Sequence, residues 1–198
     1  WSPDGRFIAF DTRLKEPSDI YVVGSDGGPS RRLTEDPADD VLPSWSQDGR
    51  VVYFGSDRSG DYQIWKVPAE GGTALQVTKH GGFEAFESPD GKYVYYVKRG
   101  ATGLWRVPTD GGEEKLVLDH CSWSRWSVAD KGIYLAWPGE KGGWSIEFFS
   151  FATRRLMRVT ALDKAPTGGL GVSPDGRWLV YGQTDSTGMN IMLVENFR

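Results

Sequence analysis

Apolar residues enter this chain in short bursts, each lying directly behind a cluster of turn-forming residues. The bursts are Phe7-Ile8-Ala9-Phe10, Val51-Val52-Tyr53-Phe54, Tyr93-Val94-Tyr95-Tyr96, Ile133-Tyr134-Leu135-Ala136 and Trp178-Leu179-Val180-Tyr181. Runs this short, rich in β-branched and aromatic residues, predict strands buried on both faces. A second burst follows each one: Ile20-Tyr21-Val22-Val23, Ile64-Trp65-Lys66-Val67, Leu104-Trp105-Arg106-Val107, Ile146-Glu147-Phe148-Phe149 and Ile191-Met192-Leu193-Val194. Eleven residues past Val23, Val67, Val107 and Phe149 a further strand ends, at Leu33-Thr34, Val77-Thr78, Val117-Leu118 and Val159-Thr160. A polar segment then leads into the strand that reaches the next cluster.

The clusters are copies of one another. Trp1-Ser2-Pro3-Asp4-Gly5 returns as Trp45-Ser46-Gln47-Asp48-Gly49, Glu87-Ser88-Pro89-Asp90-Gly91 and Val172-Ser173-Pro174-Asp175-Gly176. A worn copy, Trp126-Ser127-Val128-Ala129-Asp130-Lys131-Gly132, carries one extra residue. Pro presets φ near −65° at the second turn position, Asp accepts from the backbone ahead, and Gly takes φ > 0. The motif serines, at 2, 46, 88, 127 and 173, step by 44, 42, 39 and 46 residues. A period near forty that contains several strands is the mark of a propeller blade. A second turn, Asp26-Gly27-Gly28, Glu70-Gly71-Gly72 and Asp110-Gly111-Gly112, has the chemistry of a type I′ hairpin; Phe151-Ala152-Thr153 replaces it in the fourth repeat.

Each repeat thus reads as four antiparallel strands, and the chain as an all-β propeller domain spanning 1–198, with repeats at about 1–40, 41–82, 83–120, 121–166 and 167–198. The first repeat lacks most of its innermost strand, because only Trp1 and Ser2 precede the corner, and the last stops after its third strand. Open edges want partners, so the expectation is either a ring of five closing imperfectly or an arc of a larger parent with six to eight blades. Up–down geometry puts both stereotyped turns on one face. The other face carries the varied loops, including Lys15 to Ser18, Arg58 to Tyr62, Lys98 to Thr102, Glu140 to Gly143 and Thr184 to Gly188, and recognition is expected there.

The repeats resemble the TolB-type, WD-like propeller family, whose consensus joins a Leu-Thr strand end to a Pro-x-Trp-Ser-Pro-Asp-Gly corner. Leu33-Thr34 through Pro43-Ser44-Trp45-Ser46-Gln47-Asp48-Gly49 is the best match, with Gln47 in place of the proline. The terminal Asn190 to Arg198 also resembles the end of propellers in bacterial, particularly acidobacterial, regulators that carry a winged-helix DNA-binding region ahead of the propeller. The first resemblance implies protein–protein contact and a periplasmic setting; the second implies effector sensing within a larger regulator. Related propellers also cap serine peptidases of the prolyl-oligopeptidase type.

Composition narrows the classes. With 38% hydrophobic residues, nine Trp and 37 Gly plus Pro, the chain suits stacked sheets joined by tight turns. A net charge of −4 leaves no electrostatic footprint for nucleic acid. The single Cys121 excludes an internal disulfide. No run approaches eighteen apolar residues, so no membrane span is expected in this segment. The chain opens inside a motif rather than at a Met, and reads as a piece of a longer polypeptide.

Candidate chemistry is sparse. There is no Gly-x-Ser-x-Gly elbow, no phosphate-cradling loop, and the glycine spacing differs from a sialidase Asp-box. The expectation is therefore a non-catalytic binding or sensing module, without cofactor or metal. It would meet a protein partner or a small-molecule effector on the variable loop face. The alternatives are a metal-dependent, lyase-like propeller enzyme and a peptidase cap. His80 and His120 fall at equivalent positions, two residues past a strand end, and Asp36 occupies the same place after Thr34-Glu35. Two imidazoles and a carboxylate can hold a divalent metal; the plainer expectation is that each hydrogen-bonds within its own blade. Trp123 and Arg125 are placed on an innermost strand, where an Arg beside aromatics can hold an anion or an aromatic ligand. The recurrent Trp1, Trp45 and Trp126, like Tyr21, Trp65 and Trp105, read as packing between blades. The acidic run Glu35 to Asp40 reads as a solvated loop.

Overall fold

Five antiparallel sheets follow one another along the chain, in a computed structural model that describes residues 1–12, 17–139, 142–173, 175–185 and 188–195. The first sheet is β1 (Phe7–Asp11), β2 (Ile20–Gly24) and β3 (Arg31–Arg32). The second is β4 (Asp40–Trp45), β5 (Val51–Ser56), β6 (Gln63–Pro68) and β7 (Leu75–Gln76). The third is β8 (Glu84–Glu87), β9 (Tyr93–Val97), β10 (Leu104–Pro108) and β11 (Lys115–Leu118). β12 (Trp126–Ala129), β13 (Gly132–Pro138), β14 (Trp144–Ser150) and β15 (Leu156–Leu162) make the fourth; β16 (Pro166–Val172), β17 (Trp178–Asp185) and β18 (Gly188–Glu195) make the last. In every sheet sequential strands are spatial neighbours, so each is a meander, and the first and last have three strands rather than four. The fold is all-β, of the propeller class. Among the described residues no helix is long and apolar enough to cross a membrane.

The chain divides into two compact units, Trp1–Asp119 with the first three sheets and His120–Arg198 with the last two. Within the first unit, Ile20, Val22 and Leu33 of the first sheet share a core with Val52, Phe54 and Val67 of the second. Tyr53, Ile64 and Val77 of the second share another with Ala85, Val94, Tyr96 and Val107 of the third. Alternate residues of β5 therefore serve opposite neighbours, as the two-residue period of a strand requires. In the second unit Ile146 and Leu162 meet Leu170, Leu179 and Tyr181. Burying each such side chain contributes about 1.5–3 kcal/mol.

Four corners are built alike. The serine hydroxyl donates to the aspartate two residues on, at 2.6 Å in Ser2–Asp4, 2.7 Å in Ser46–Asp48, 2.7 Å in Ser88–Asp90 and 2.6 Å in Ser173–Asp175. The same hydroxyl accepts the N–H of the residue five on: Phe7, Val51, Tyr93 and Trp178. The aspartate in turn accepts the N–H of Arg6, Arg50, Lys92 and Arg177. Gly5, Gly49, Gly91 and Gly176 close the turns at φ 69°, 70°, 68° and 67°, where a Cβ is disfavoured. Pro174 lies outside the described residues, as do parts of three expected recognition loops, namely residues 15–16, 140–141 and 186–187. The terminal stretch that carried the regulator resemblance is described only as far as residue 195. The worn copy solves its corner differently. Ala129 pairs with Gly132, leaving Asp130-Lys131 as a two-residue loop.

The Gly-Gly turns differ from the expected type I′. Gly27, Gly71 and Gly111 donate to the carbonyls of Gly24, Pro68 and Pro108. The central residues are thus Ser25-Asp26, Ala69-Glu70 and Thr109-Asp110, none of which has positive φ. The glycine pair follows the turn, with Gly71 at φ 93° and Gly72 at φ 137°. Left-handed freedom is needed at the pair that follows the turn, two residues later than the central pair of a I′ turn.

Gln47, where the other described corners have proline, is explained by its neighbour. A proline has no N–H, whereas the Gln47 N–H donates to the Glu87 carboxylate at 2.6 Å. Glu87 stands at the place of Trp1, Trp45 and Trp126 in other corners, and it also accepts the Tyr53 hydroxyl at 2.8 Å. Burial first, and then this carboxylate, push the Tyr53 phenol well above its ordinary range. The corner without proline and the next corner without tryptophan are thus joined through one carboxylate.

Two outcomes test the corner. Ser46 is 2% exposed, so Ser46→Ala orphans the Val51 N–H and is expected to lower the unfolding free energy by about 1–3 kcal/mol in denaturant titrations. Asp90 is held below the usual carboxylate range by Ser88 and the Lys92 N–H, and Asp48 by the Arg50 N–H and Ser46. A depressed folded pKa stabilises above the unfolded value, about 4, and that stabilisation is lost as pH falls through the folded value. Denaturation midpoints should therefore drop on acidification, and drop less steeply in the Asp48→Asn/Asp90→Asn protein.

Candidate functional site

In the second sheet the strand register sets Asp40 opposite Ser56 and Ser56 opposite Gln63, at the end remote from both turns. The loops of the first unit that leave this end carry its most concentrated polar chemistry. Arg58 lies between two carboxylates, donating to Asp36 at 2.7 Å and to both oxygens of Asp40 at 3.0 and 2.8 Å. Its guanidinium also covers the rings of Phe54 at 5.4 Å and Trp65 at 4.8 Å. The Asp40 side chain is fully buried. Desolvation holds it above the usual carboxylate range, although Ser56, Arg58 and Thr34 pull it down.

Beside this pair, Asp39 accepts the Ser18 N–H and the Tyr62 hydroxyl. Burial pushes the Asp39 carboxyl up, but Tyr62, Ser18 and Arg99 outweigh it and the net shift is downward. Tyr62 meets Phe83 edge-on at 5.0 Å. The exposed Arg99 guanidinium lies over both rings, at 4.8 Å and 5.5 Å. A cleft of about 370 Å³ runs beside Arg58, lined by Arg32, Glu35, Asp36, Gly72 and Ala74. A second, of about 240 Å³, lies among Arg6, Arg31, Asp48 and Glu70.

His80 is exposed and sits beside Glu114, with Nδ1 3.4 Å from Oε1. Glu114 also accepts the backbone N–H groups of Lys79 and His80 and the Tyr96 hydroxyl. Those partners outweigh burial and lower its carboxyl. Nearby, Lys98 Nζ stands 3.8 Å from the Trp105 ring centroid, and desolvation lowers its ammonium pKa.

The second unit has its own grouping. His120 Nε2 lies 3.2 Å from Glu147 Oε2, and its ring is 5.3 Å from that of Trp137. Arg125 covers Trp144 at 4.7 Å. Trp123 is 47% exposed. Trp123 and Arg125 precede β12 rather than lying on it. Ser124 between them takes φ 65°, and its hydroxyl accepts the Gly169 N–H at 2.9 Å, which turns the chain before the strand begins.

Of the five residues singled out from the sequence, Asp36 is thus drawn to Arg58, each histidine to a glutamate of the following sheet, and Arg125 to an indole. Among the described residues no group of three or more His, Cys, Asp and Glu side chains is placed to hold a metal ion. The acidic run is not simply solvated, since Asp40 is fully buried and Asp39 is engaged by Ser18 and Tyr62. Sequence reasoning missed Asp40, Glu114, Glu147 and Trp137. Arg58, Tyr62 and Arg99 fell inside loops singled out for variability alone.

The TolB beta propeller domain family matches residues 1–146 of the chain. A stretch of 45 residues is 47% identical to the Tol-Pal system protein TolB of Anaeromyxobacter dehalogenans strain 2CP-1, covering 23% of this chain and 10% of that protein. Among solved structures, TolB from Acinetobacter baumannii aligns with a TM-score of 0.80 at 21% identity, over 98% of this chain and 50% of that one. An oligogalacturonate lyase in complex with manganese aligns with a TM-score of 0.58 at 15% identity, over 96% of this chain and 71% of that one. At such identities the structural likenesses speak for the fold. The chain spans half the length of the Acinetobacter protein, and the stretch it shares with the Anaeromyxobacter protein spans a tenth of that one.

Removing Arg58 would strand a buried carboxylate. Arg58→Ala is expected to cost about 3–5 kcal/mol at neutral pH, read by chemical denaturation. Because the Asp40 pKa is raised, that deficit should shrink as the pH falls and Asp40 becomes neutral. Arg58→Ala/Asp40→Asn should recover much of it at neutral pH.

Proposed function

The chain belongs to the TolB beta propeller domain family, and on that premise we propose that it is a non-catalytic binding module whose loop end docks a protein partner. The observation that carries this reading is the arrangement of Arg99 over Tyr62 and Phe83, beside Arg58 and its two carboxylates. Tyr, Phe and Arg are the residues in which interface centres are enriched. Here they are held before any partner arrives, because Asp39 fixes the Tyr62 hydroxyl. Fixing a rotamer in advance lowers the ordering cost of association. A role in a larger scaffold or regulator, a Tol-Pal-type partner and a periplasmic setting extend the same proposal.

A second reading, effector sensing, draws on the other unit. His120 with Glu147, Trp137 and the Arg125–Trp144 pair combine aromatic faces with a titratable couple, a combination that suits a small aromatic or anionic ligand. Quenching of tryptophan fluorescence by such a ligand, abolished in Trp144→Ala, would support sensing over docking.

Docking is tested by site-specific photo-cross-linking in the full-length parent. A cross-linker at position 99 is expected to capture a protein partner, and one at Asp26, in a Gly-Gly turn, to capture none. Arg99→Glu leaves an exposed position exposed and should weaken the purified complex about tenfold, or about 1.4 kcal/mol. Adducts formed from the turn end alone would reverse the assignment.

A further inference from the structure

Three segments meet at the loop end between the second and third sheets, and main-chain hydrogen bonds fix how they lie. The Gly82 N–H donates to the Tyr62 carbonyl at 2.9 Å, and the Phe83 N–H donates to the Val97 carbonyl at 2.8 Å. Phe83 also lies close against β5, where a Cβ on Gly55 would come within 2.4 Å of the Phe83 carbonyl oxygen. Tyr62, Phe83 and Arg99, two residues beyond Val97, are thereby assembled before any partner is present.

Arg58 and Arg99 are stacked alike and bonded differently. Each guanidinium covers two aromatic rings. The Arg58 side chain is 17% exposed, and its fork is filled by Asp36 and Asp40. Arg99 is exposed, and among the described residues no acceptor meets its guanidinium. Asp39 acts on Arg99 through space, but both of its oxygens are already engaged, one by the Ser18 N–H and the other by the Tyr62 hydroxyl.

A guanidinium offers five N–H donors in a rigid plane that matches a carboxylate. Aromatic rings that cover its face leave the edge to bond. The setting decides which anion fits. Asp39 and Asp57 lie close enough to act on Tyr62, and Asp61 adjoins it in the chain. Such surroundings repel a phosphate or a polyanion, and accept a single carboxylate only where Arg99 meets it. A chain terminus is captured by successive backbone N–H groups, whereas the donors here form a side-chain fork.

We propose that an aspartate or glutamate side chain of the protein partner takes at Arg99 the place that Asp40 takes at Arg58. The inference rests on protein docking at this end of the first unit, and adds the residue class by which the partner is chosen.

A photo-cross-linker in place of the exposed Asp61 leaves Arg99 intact in the full-length parent. Mass spectrometry of its adducts is expected to find an Asp or Glu in the captured segment, and the purified partner, with and without that acid, is then the probe. Changing the acid to its amide should weaken binding about fivefold, Arg99→Gln should do the same, and the two together should cost no more than either alone. Arg99→Glu should reject the unaltered partner and bind one carrying Lys in place of the acid, a reversal that a merely structural role for Arg99 would not give. A captured segment without Asp or Glu, losses that simply add, or a charge swap that restores nothing overturns the carboxylate contact and leaves docking standing. Adducts with no protein other than this chain, from position 61 and from position 99 alike, overturn both.

Discussion

A serine hydroxyl that accepts one strand's N–H while donating a hydrogen bond to an aspartate two residues on is the interaction from which the rest of this fold is hung. The hydroxyl is both donor and acceptor, so a single buried oxygen closes the corner in two directions. The aspartate then holds the next amide, and the glycine absorbs the left-handed step. Because every contact lies within six residues of sequence, the corner can form before any sheet does. Repeated in four of the five repeats, it fixes where the strand behind each of these corners begins and which way it runs. The alternation of side chains between two cores follows from that register.

Three tyrosines of the first unit use a related device. Tyr53 donates to Glu87, Tyr62 to Asp39 and Tyr96 to Glu114. A phenol can reach from an apolar bed to a carboxylate without bringing a charge of its own. It therefore satisfies an anion at lower desolvation cost than a lysine would. The phenols lie well above their ordinary range, with burial leading and the carboxylate adding to it. These pairs bind one sheet or loop to another, whereas the serine corner binds a chain to itself.

That difference explains what was legible in the sequence. Corners, strand order and the incomplete first and last sheets could be read directly, because their determinants are local and recur. The Gly-Gly turn was placed correctly but typed wrongly, since the same glycines serve a turn centred on them or one ending at the first of them. The candidate site was read far less well. Arg58 and Asp40 lie eighteen residues apart, and His80 and Glu114 thirty-four; no spacing rule connects them. Asp40 looked like one more charge in an acidic run. Only the strand register shows that it begins β4, at a point where neighbouring residues shut out water.

The hydrogen bond between Gln47 and Glu87 bears on how freely the repeats of such a chain could be rearranged. Were every corner self-sufficient, repeats could be duplicated, deleted or swapped like beads, and each would drift independently. Here one corner has Gln47 where Pro3 and Pro89 stand in others, and its amide serves the carboxylate of Glu87 in the next repeat, at the place of Trp1, Trp45 and Trp126. Replacing either residue alone strands a polar group, so the two positions are coupled and their substitutions are expected to be non-additive. The second and third repeats are thereby a matched couple, and the array has an order in which its parts must stand.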